Sequence, residues 1–93
     1  MLPATGCAQG GAKFAKGADS PIAAEQARAI ARRETDLREL IELLDSDDPV
    51  VRSLAIKELE RLTGQTLGYR YDDGVAVRNA AVDRWVVWFG SQE

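Results

Sequence analysis

Residues 36–64, DLRELIELLDSDDPVVRSLAIKELERLTG, contain the clearest structural pattern in the chain. Apolar residues recur at helical spacing in the first part of this stretch, which predicts an amphipathic helix over residues 36–45. The residues on its apolar face are Leu37, Leu40, Ile41 and Leu44. The acidic cluster and the proline that follow end this helix and start another, so the stretch predicts a pair of helices joined by a tight turn.

The second helix is predicted over residues 49–63. Asp48 is a good N-cap, Pro49 suits the first helical position, and Gly64 suits the left-handed residue that ends a helix. The residues predicted to face the core are Val51, Leu54, Ala55, Leu59 and Leu62, with Ile56 beside them. The residues predicted to face solvent are Arg52, Lys57, Glu58, Glu60 and Arg61.

A helix is also predicted before this pair, over residues 20–34, with Ser20 as N-cap and Pro21 at the first position. Its modest apolar stripe consists of Ala23, Ala27, Ile30 and Ala31. We expect a break near residues 34–35. A single bent helix over residues 21–45 remains an alternative, since no glycine or proline separates the two segments.

The C-terminal part of the chain predicts a loop and a last helix. Residues 65–74 lack helical periodicity and are predicted to form a loop that packs on the core. A helix is predicted over residues 75–89, with Gly90 at its end. Its two apolar rows are Val77, Ala81, Trp85 and Trp88, and then Val82, Val86 and Phe89. We expect Trp85 and Trp88 to lie in the core, because large aromatic side chains dominate small cores.

Composition restricts the class of protein. The chain has 93 residues, enough for one small domain, and its formal net charge is −3. The pattern predicts an all-α domain over residues 20–93, preceded by a disordered tail at residues 1–19 that is rich in glycine and alanine. An acidic chain is a poor binder of polyanions, so we expect no nucleic-acid partner.

The side chains that many catalytic and metal sites need are scarce. The chain has no histidine and one cysteine, which argues against a Ser-His or Cys-His nucleophile and against a zinc site built on soft ligands. The acidic cluster at residues 45–48 lacks the glycine and distal glutamate of an EF-hand loop, and helix capping explains it better. We therefore expect no enzyme activity, cofactor or metal. No run of residues is long and apolar enough for a transmembrane segment.

The stretch from Asp36 to Leu62 resembles a HEAT repeat, a unit of two antiparallel helices with a tight turn. The residues that carry the resemblance are Asp47, Asp48, Pro49, Val51, Arg52, Ala55 and Leu59. The downstream segment is similar to the tail of small bacterial HEAT-repeat proteins in Leu62, Thr63, Gly64, Gly68, Tyr69, Arg84, Trp85 and Trp88. The resemblance implies a helical hairpin extended to a three- or four-helix bundle, as a short α-solenoid, with a scaffold role. It also implies that Arg52 pairs with an aspartate of the turn.

The segment before the helices contains one further motif. Ala4-Thr5-Gly6-Cys7 resembles the end of a bacterial lipoprotein signal, which makes Cys7 a candidate for lipidation. The residue three positions before Cys7 is alanine instead of the usual leucine, and no charged and apolar signal regions precede it. We therefore expect a cell-envelope location only if a signal lies upstream of Met1, and a cytoplasmic location otherwise.

The sequence thus predicts a non-enzymatic scaffold or protein–protein interaction module. The residues nominated for partner binding are Arg70, Tyr71 and Arg78, in and after the loop at 65–74. We expect Tyr71 to be more exposed than Tyr69, because charged residues flank it. Two alternatives stay open, a nucleic-acid-binding helical module and a self-associating structural protein. The expected state is a monomer or a weak homo-oligomer.

Overall fold

The computed structural model describes residues 21–92, and these residues form four α-helices and no strand. The helices are α1 (Pro21–Ala31), α2 (Leu37–Leu43), α3 (Pro49–Thr63) and α4 (Val75–Gly90). The all-α class is confirmed. The break between α1 and α2 is also confirmed, since residues 32–36 are not helical and Arg33 has a positive φ of 60°. The tail predicted at residues 1–19, the Ser20 cap and Cys7 lie outside the described residues.

The caps of α3 match the sequence prediction. Asp48 is the N-cap, and its Oδ1 accepts a hydrogen bond of 2.8 Å from the backbone N–H of Val50. Gly64 is the C-cap with φ 79°, and its N–H donates to the carbonyl of Glu60 at 2.7 Å. Such caps satisfy backbone groups that a helix end leaves without partners. They explain why α3 begins and ends at these residues.

Helix α3 packs against both α1 and α2, and α2 also packs against α4. A single apolar core joins the four helices and the loop at residues 64–74. Its buried members are Ala23, Ile30, Leu40, Ile41, Leu44, Val51, Ala55, Ile56, Leu59, Tyr69, Ala81 and Trp85. The periodic positions predicted for α2 and α3 therefore supply most of this core.

Two charged residues predicted to face solvent are buried instead. Arg52 is only 8% exposed, because its guanidinium donates hydrogen bonds to two backbone carbonyls rather than to water. Glu58 is also 8% exposed, and both of its carboxylate oxygens accept hydrogen bonds from Arg61. The predicted pairing of Arg52 with an aspartate of the turn is not formed, since Arg52 Nη1 donates to the Ser46 carbonyl at 2.8 Å.

Several residues of the predicted apolar faces, stripes and rows are exposed. They are Ala31, Leu62, Val77 and Val86. Helix α2 has seven residues and α4 has sixteen, so their lengths are about 10 Å and 24 Å at 1.5 Å per residue. Val77 is 54% exposed and Val86 is 55% exposed, although Val86 lines a groove together with Ile41 of α2. Leu62 is 46% exposed in the last turn of α3.

Candidate functional site

The three residues nominated for partner binding lie close together in the chain but have different surroundings. Arg70 is exposed, and its Nε lies 3.7 Å from a carboxylate oxygen of Asp72 and 3.7 Å from one of Asp73. Such exposed pairs contribute little to stability. Tyr71 is 42% exposed, whereas Tyr69 is 3% exposed. The prediction that Tyr71 is the more exposed of the two tyrosines is therefore confirmed.

Arg78 is half-buried and already has a partner within the chain. Its Nη1 donates a hydrogen bond of 2.6 Å to the backbone carbonyl of Asp73. This contact fixes the end of the loop to the first turn of α4. Binding of a partner by Arg70, Tyr71 and Arg78 stays a prediction, and Arg78 has a structural contact that the sequence did not indicate.

The loop at residues 64–74 is held by side chains from both neighbouring helices. Arg52 Nε donates to the Tyr71 carbonyl at 3.1 Å, and Trp85 Nε1 donates to the Thr66 carbonyl at 2.8 Å. The Tyr69 hydroxyl in turn donates to the Leu44 carbonyl at 2.7 Å. Burial raises the pKa of the Tyr69 phenol, since an ionised oxygen would lose its contact with water. The loop is therefore a fixed support for α4.

A tight contact occurs at Gly68, where φ is 79°. A Cβ placed there would lie 2.8 Å from Arg84 Nη2. Arg84 covers this glycine because its Nε donates to the Leu67 carbonyl at 2.7 Å. Leu67 itself has a left-handed φ of 54°, which is unfavourable for a leucine. The loop thus takes a strained shape that brings α4 and residues 66–68 together.

Trp85 and Trp88 pack against each other on α4. Their ring centroids lie 5.4 Å apart and the ring planes meet at 77°, an edge-to-face geometry. Trp85 is fully buried, as predicted, but Trp88 is only half-buried. Trp88 therefore lies at the border between the core and the surface.

The C-terminal half of α4 exposes apolar side chains. Val86 is 55% exposed and Val87 is 72% exposed, and the neighbouring Trp88 and Phe89 are half-buried. A groove lies on each side of this part of the helix. The loop groove is lined by Leu67, Asp83, Arg84, Val87 and Trp88 and has a volume of about 330 Å³. The α2 groove is lined by Arg38, Ile41, Glu42, Val86 and Phe89 and has a volume of about 220 Å³.

An acidic depression adjoins the α2 groove, because Arg38 and Glu42 line both. Its other lining residues are Asp36 and Glu39. Arg38 lies 3.5 Å from Glu42 in an exposed pair. Three carboxylates and one guanidinium give the depression a negative potential that favours cationic groups.

Glu58 and Arg61 form a close ion pair on α3. The two hydrogen bonds measure 2.9 Å and 2.7 Å, and they lower the pKa of the Glu58 carboxyl by stabilising its charged form. Among residues 21–92, no group of three His, Cys, Asp or Glu side chains is arranged to hold a metal ion. None of the described helices has the length and apolar character needed to span a membrane.

Sequence reasoning nominated the loop and missed the grooves. The sequence does contain an indication of an exposed apolar surface, because the end of α4 has apolar residues around most of its circumference. The sequence pattern describes these residues as two apolar rows and does not indicate which of them stay exposed. Comparison with protein-family models, curated proteins and solved structures finds no match to this chain. The similarity to HEAT repeats therefore continues to rest on the residues quoted above.

Proposed function

We propose that this chain is a non-enzymatic protein–protein interaction module of the HEAT-like scaffold type, which binds its partner through α4. The observation that carries the proposal is the exposure of Val86 and Val87 between two apolar grooves. Exposed apolar patches bordered by polar groups are typical of protein interaction surfaces.

The support beneath α4 favours binding with little rearrangement. The loop at residues 64–74 is hydrogen-bonded to α3 and α4 through side chains, so the floor of the loop groove is already in place. A surface that is ordered before binding loses less conformational entropy when a partner arrives. Trp88, half-buried beside Val87, is suited to be an anchor, since tryptophan is enriched at binding hot spots.

A nucleic-acid partner is less consistent with this surface. The depression beside the α2 groove contains three carboxylates, Asp36, Glu39 and Glu42. These groups would repel phosphates at close range. We therefore propose a protein partner rather than a nucleic acid.

The experiment is affinity capture with the full chain as bait, from a lysate of the source cells. Val87→Asp places a charge in the loop groove and should reduce capture of the partner at least tenfold. Val75→Asp is the matched control, because Val75 is 62% exposed at the other end of α4 and lines neither groove. Circular dichroism of all three proteins would verify the fold. The proposal fails if the wild type and Val87→Asp capture the same proteins in equal amounts.

A further inference from the structure

We infer that α4 pairs in parallel with α4 of a second copy of this chain, and that Asn79 of one copy hydrogen-bonds Asn79 of the other. This inference rests on the proposed function and names the partner for the side of α4 that lines the α2 groove. The loop groove, which includes Val87, lies on a different side of the helix.

One side of α4 has the spacing of a coiled-coil seam. Its positions are separated by four, three, four and three residues, which is the pattern of the a and d positions of a heptad repeat. We call this side the α4 seam; its members are Val75, Asn79, Val82, Val86 and Phe89. The seam is about 21 Å long at 1.5 Å per residue.

The α4 seam is open to a second chain. Val75 is 62% exposed, Val86 is 55% exposed, and Asn79 is exposed between them. Val82 and Phe89 are half-buried, because they also pack against the core of their own chain. Since that core already holds α4 in place, pairing requires no new helix formation and little loss of conformational entropy.

Asn79 identifies a second copy as the occupant and determines the direction of its helix. Among the described residues, no hydrogen bond uses the Asn79 side-chain amide. A single asparagine at an a position specifies register and oligomer state in coiled coils. In a parallel pair of identical helices the two Asn79 amides face each other, and each offers both a donor and an acceptor. In an antiparallel pair, Asn79 would face an apolar d position and lose this hydrogen bond.

The charges beside the α4 seam are complementary in the same parallel arrangement. Arg78 occupies a g position and Asp83 occupies the e position of the next heptad, and such positions form salt bridges between the helices of a coiled coil. Within residues 21–92, Asp83 forms no ion pair, and Arg78 donates only from Nη1, to the Asp73 carbonyl. Arg78 of each copy can therefore pair with Asp83 of the other.

The symmetry of this contact limits its growth. Each copy contributes the same surface and every contact occurs twice, so the interface is isologous and association stops at the dimer. The α2 groove extends the contact at one end, because Val86 and Phe89 line it together with Ile41. One side of a helix about 21 Å long and about 10 Å wide is smaller than the roughly 800 Å² that each partner of a standard interface buries. We therefore expect a weak dimer.

The first test is sedimentation equilibrium of the full chain over a hundredfold range of concentration. The average mass of the wild type should rise with concentration and approach that of two chains. Val86→Asp brings two carboxylates together in the seam and should raise the dissociation constant at least tenfold. Val87→Asp is the matched control, because the neighbouring valine is 72% exposed and lies outside the seam. Circular dichroism would show that every variant is folded.

The charge pairs are tested by Asp83→Lys, which places a lysine beside Arg78 of the other copy. We expect the dissociation constant to rise about tenfold, from two lost pairs and two new repulsions, and the effect to decrease at high salt. Glu60→Lys is the control, since Glu60 is exposed on α3 and the substitution changes the net charge equally. Equal weakening by both variants would contradict the assigned pairs.

The direction of the second helix is tested by a disulfide. Cys7→Ser removes the native thiol, and Asn79→Cys in that background places two thiols on opposite sides of the twofold axis, within the roughly 4.4–6.8 Å between Cα atoms that a disulfide needs. Oxidised glutathione should convert this variant to a covalent dimer on a non-reducing gel. Val87→Cys in the same background should remain largely monomeric.

The outcomes separate this inference from the proposed function. A wild type that stays monomeric, or equal dissociation constants for the wild type and Val86→Asp, overturns the inference. A dimer in which Asn79→Cys does not cross-link overturns the parallel arrangement. If the wild type is monomeric while Val87→Asp loses capture of another protein, the interaction function stands and only this partner is wrong. Val75→Asp should weaken the dimer and still capture that protein, since it leaves the loop groove intact.

Discussion

The loop at residues 64–74 and the C-terminal half of α4 contrast in order and exposure. The loop has no regular secondary structure, yet its carbonyls at Thr66, Leu67 and Tyr71 accept hydrogen bonds from the side chains of Trp85, Arg84 and Arg52. The helix satisfies its own backbone but exposes Val86 and Val87. The irregular loop therefore has its polar groups occupied by contacts within the chain. The regular helix is the region that offers exposed apolar side chains to a partner.

Trp85→Ala should have the largest effect, because Trp85 belongs to both regions. It is fully buried, and its Nε1 holds the Thr66 carbonyl at 2.8 Å. Truncation of a buried tryptophan costs about 3–5 kcal/mol through lost contacts and an unfilled cavity. Urea unfolding should show this loss of stability. A loss below 1 kcal/mol would mean that the loop and the helix do not depend on each other.

Arg52→Met should follow in magnitude. The variant keeps much of the apolar stem but removes the donors to Ser46 and Tyr71, and hydrogen bonds from a charged group contribute about 1.5–3 kcal/mol. We expect a loss of about 2–3 kcal/mol in urea unfolding. Lys57→Met is the control, since Lys57 is exposed on the same helix. Equal stability of both variants would contradict the role given to Arg52.

Gly68→Ala should cost more than Gly64→Ala, although both glycines have φ 79°. A left-handed residue with a Cβ costs about 1–2 kcal/mol at either position. Only at Gly68 would the new Cβ collide with Arg84, because nothing lies within 4 Å of a Cβ at Gly64. We expect a difference of about 1 kcal/mol between the two, a magnitude typical of a lost hydrogen bond. Thermal unfolding would measure it, and no difference would show that Arg84 moves away freely.

Tyr69→Phe should have a smaller effect that depends on pH. At neutral pH, loss of the hydrogen bond to the Leu44 carbonyl costs about 1 kcal/mol. Burial raises the pKa of Tyr69 in the folded chain above its ordinary value of 10.0, so folding favours the neutral phenol. That contribution is complete below pH 10 and is lost as the pH rises through the folded pKa.

The wild type should therefore lose more stability than Tyr69→Phe between pH 9 and pH 11. Tyr71→Phe is the control, because Tyr71 is exposed, and it should behave like the wild type. Chemical unfolding at several pH values would compare the three proteins. Parallel curves for the wild type and Tyr69→Phe would show that Tyr69 is not the group responsible.

Val87→Asp should change stability least. Val87 is 72% exposed, and substitutions at such surface positions usually stay within about 0.5 kcal/mol. A substitution in the C-terminal half of α4 would then reduce binding without reducing stability, whereas substitutions at the contacts of the loop reduce stability. A large drop in the unfolding midpoint would mean that Val87 contributes to the fold instead of to a binding surface.

Local patterns predicted much of the fold. Asp48, Pro49 and Gly64 act through neighbouring backbone groups, so the bounds of α3 follow from short-range chemistry. Helical spacing likewise identified Leu40, Leu44 and Leu59 as core residues.

The misjudged residues depend on contacts that are distant in the chain. Arg52 is buried because the Tyr71 carbonyl, nineteen positions later, accepts its hydrogen bond. Val86 lines a groove between α2 and α4, and a pattern within α4 contains no information on how closely a neighbouring helix packs. The grooves depend on how α4 packs against α2 and against the loop, which is why the candidate site was less predictable than the helices.

One consequence follows from the position of Arg52 between the two connections of the chain. Its guanidinium holds Ser46, in the turn before α3, and Tyr71, in the loop after it. Neither connection can move away from α3 without breaking a hydrogen bond to the Arg52 guanidinium. Amide protons in both connections should therefore exchange with solvent in a single concerted event, as one foldon that spans the two ends of a helix.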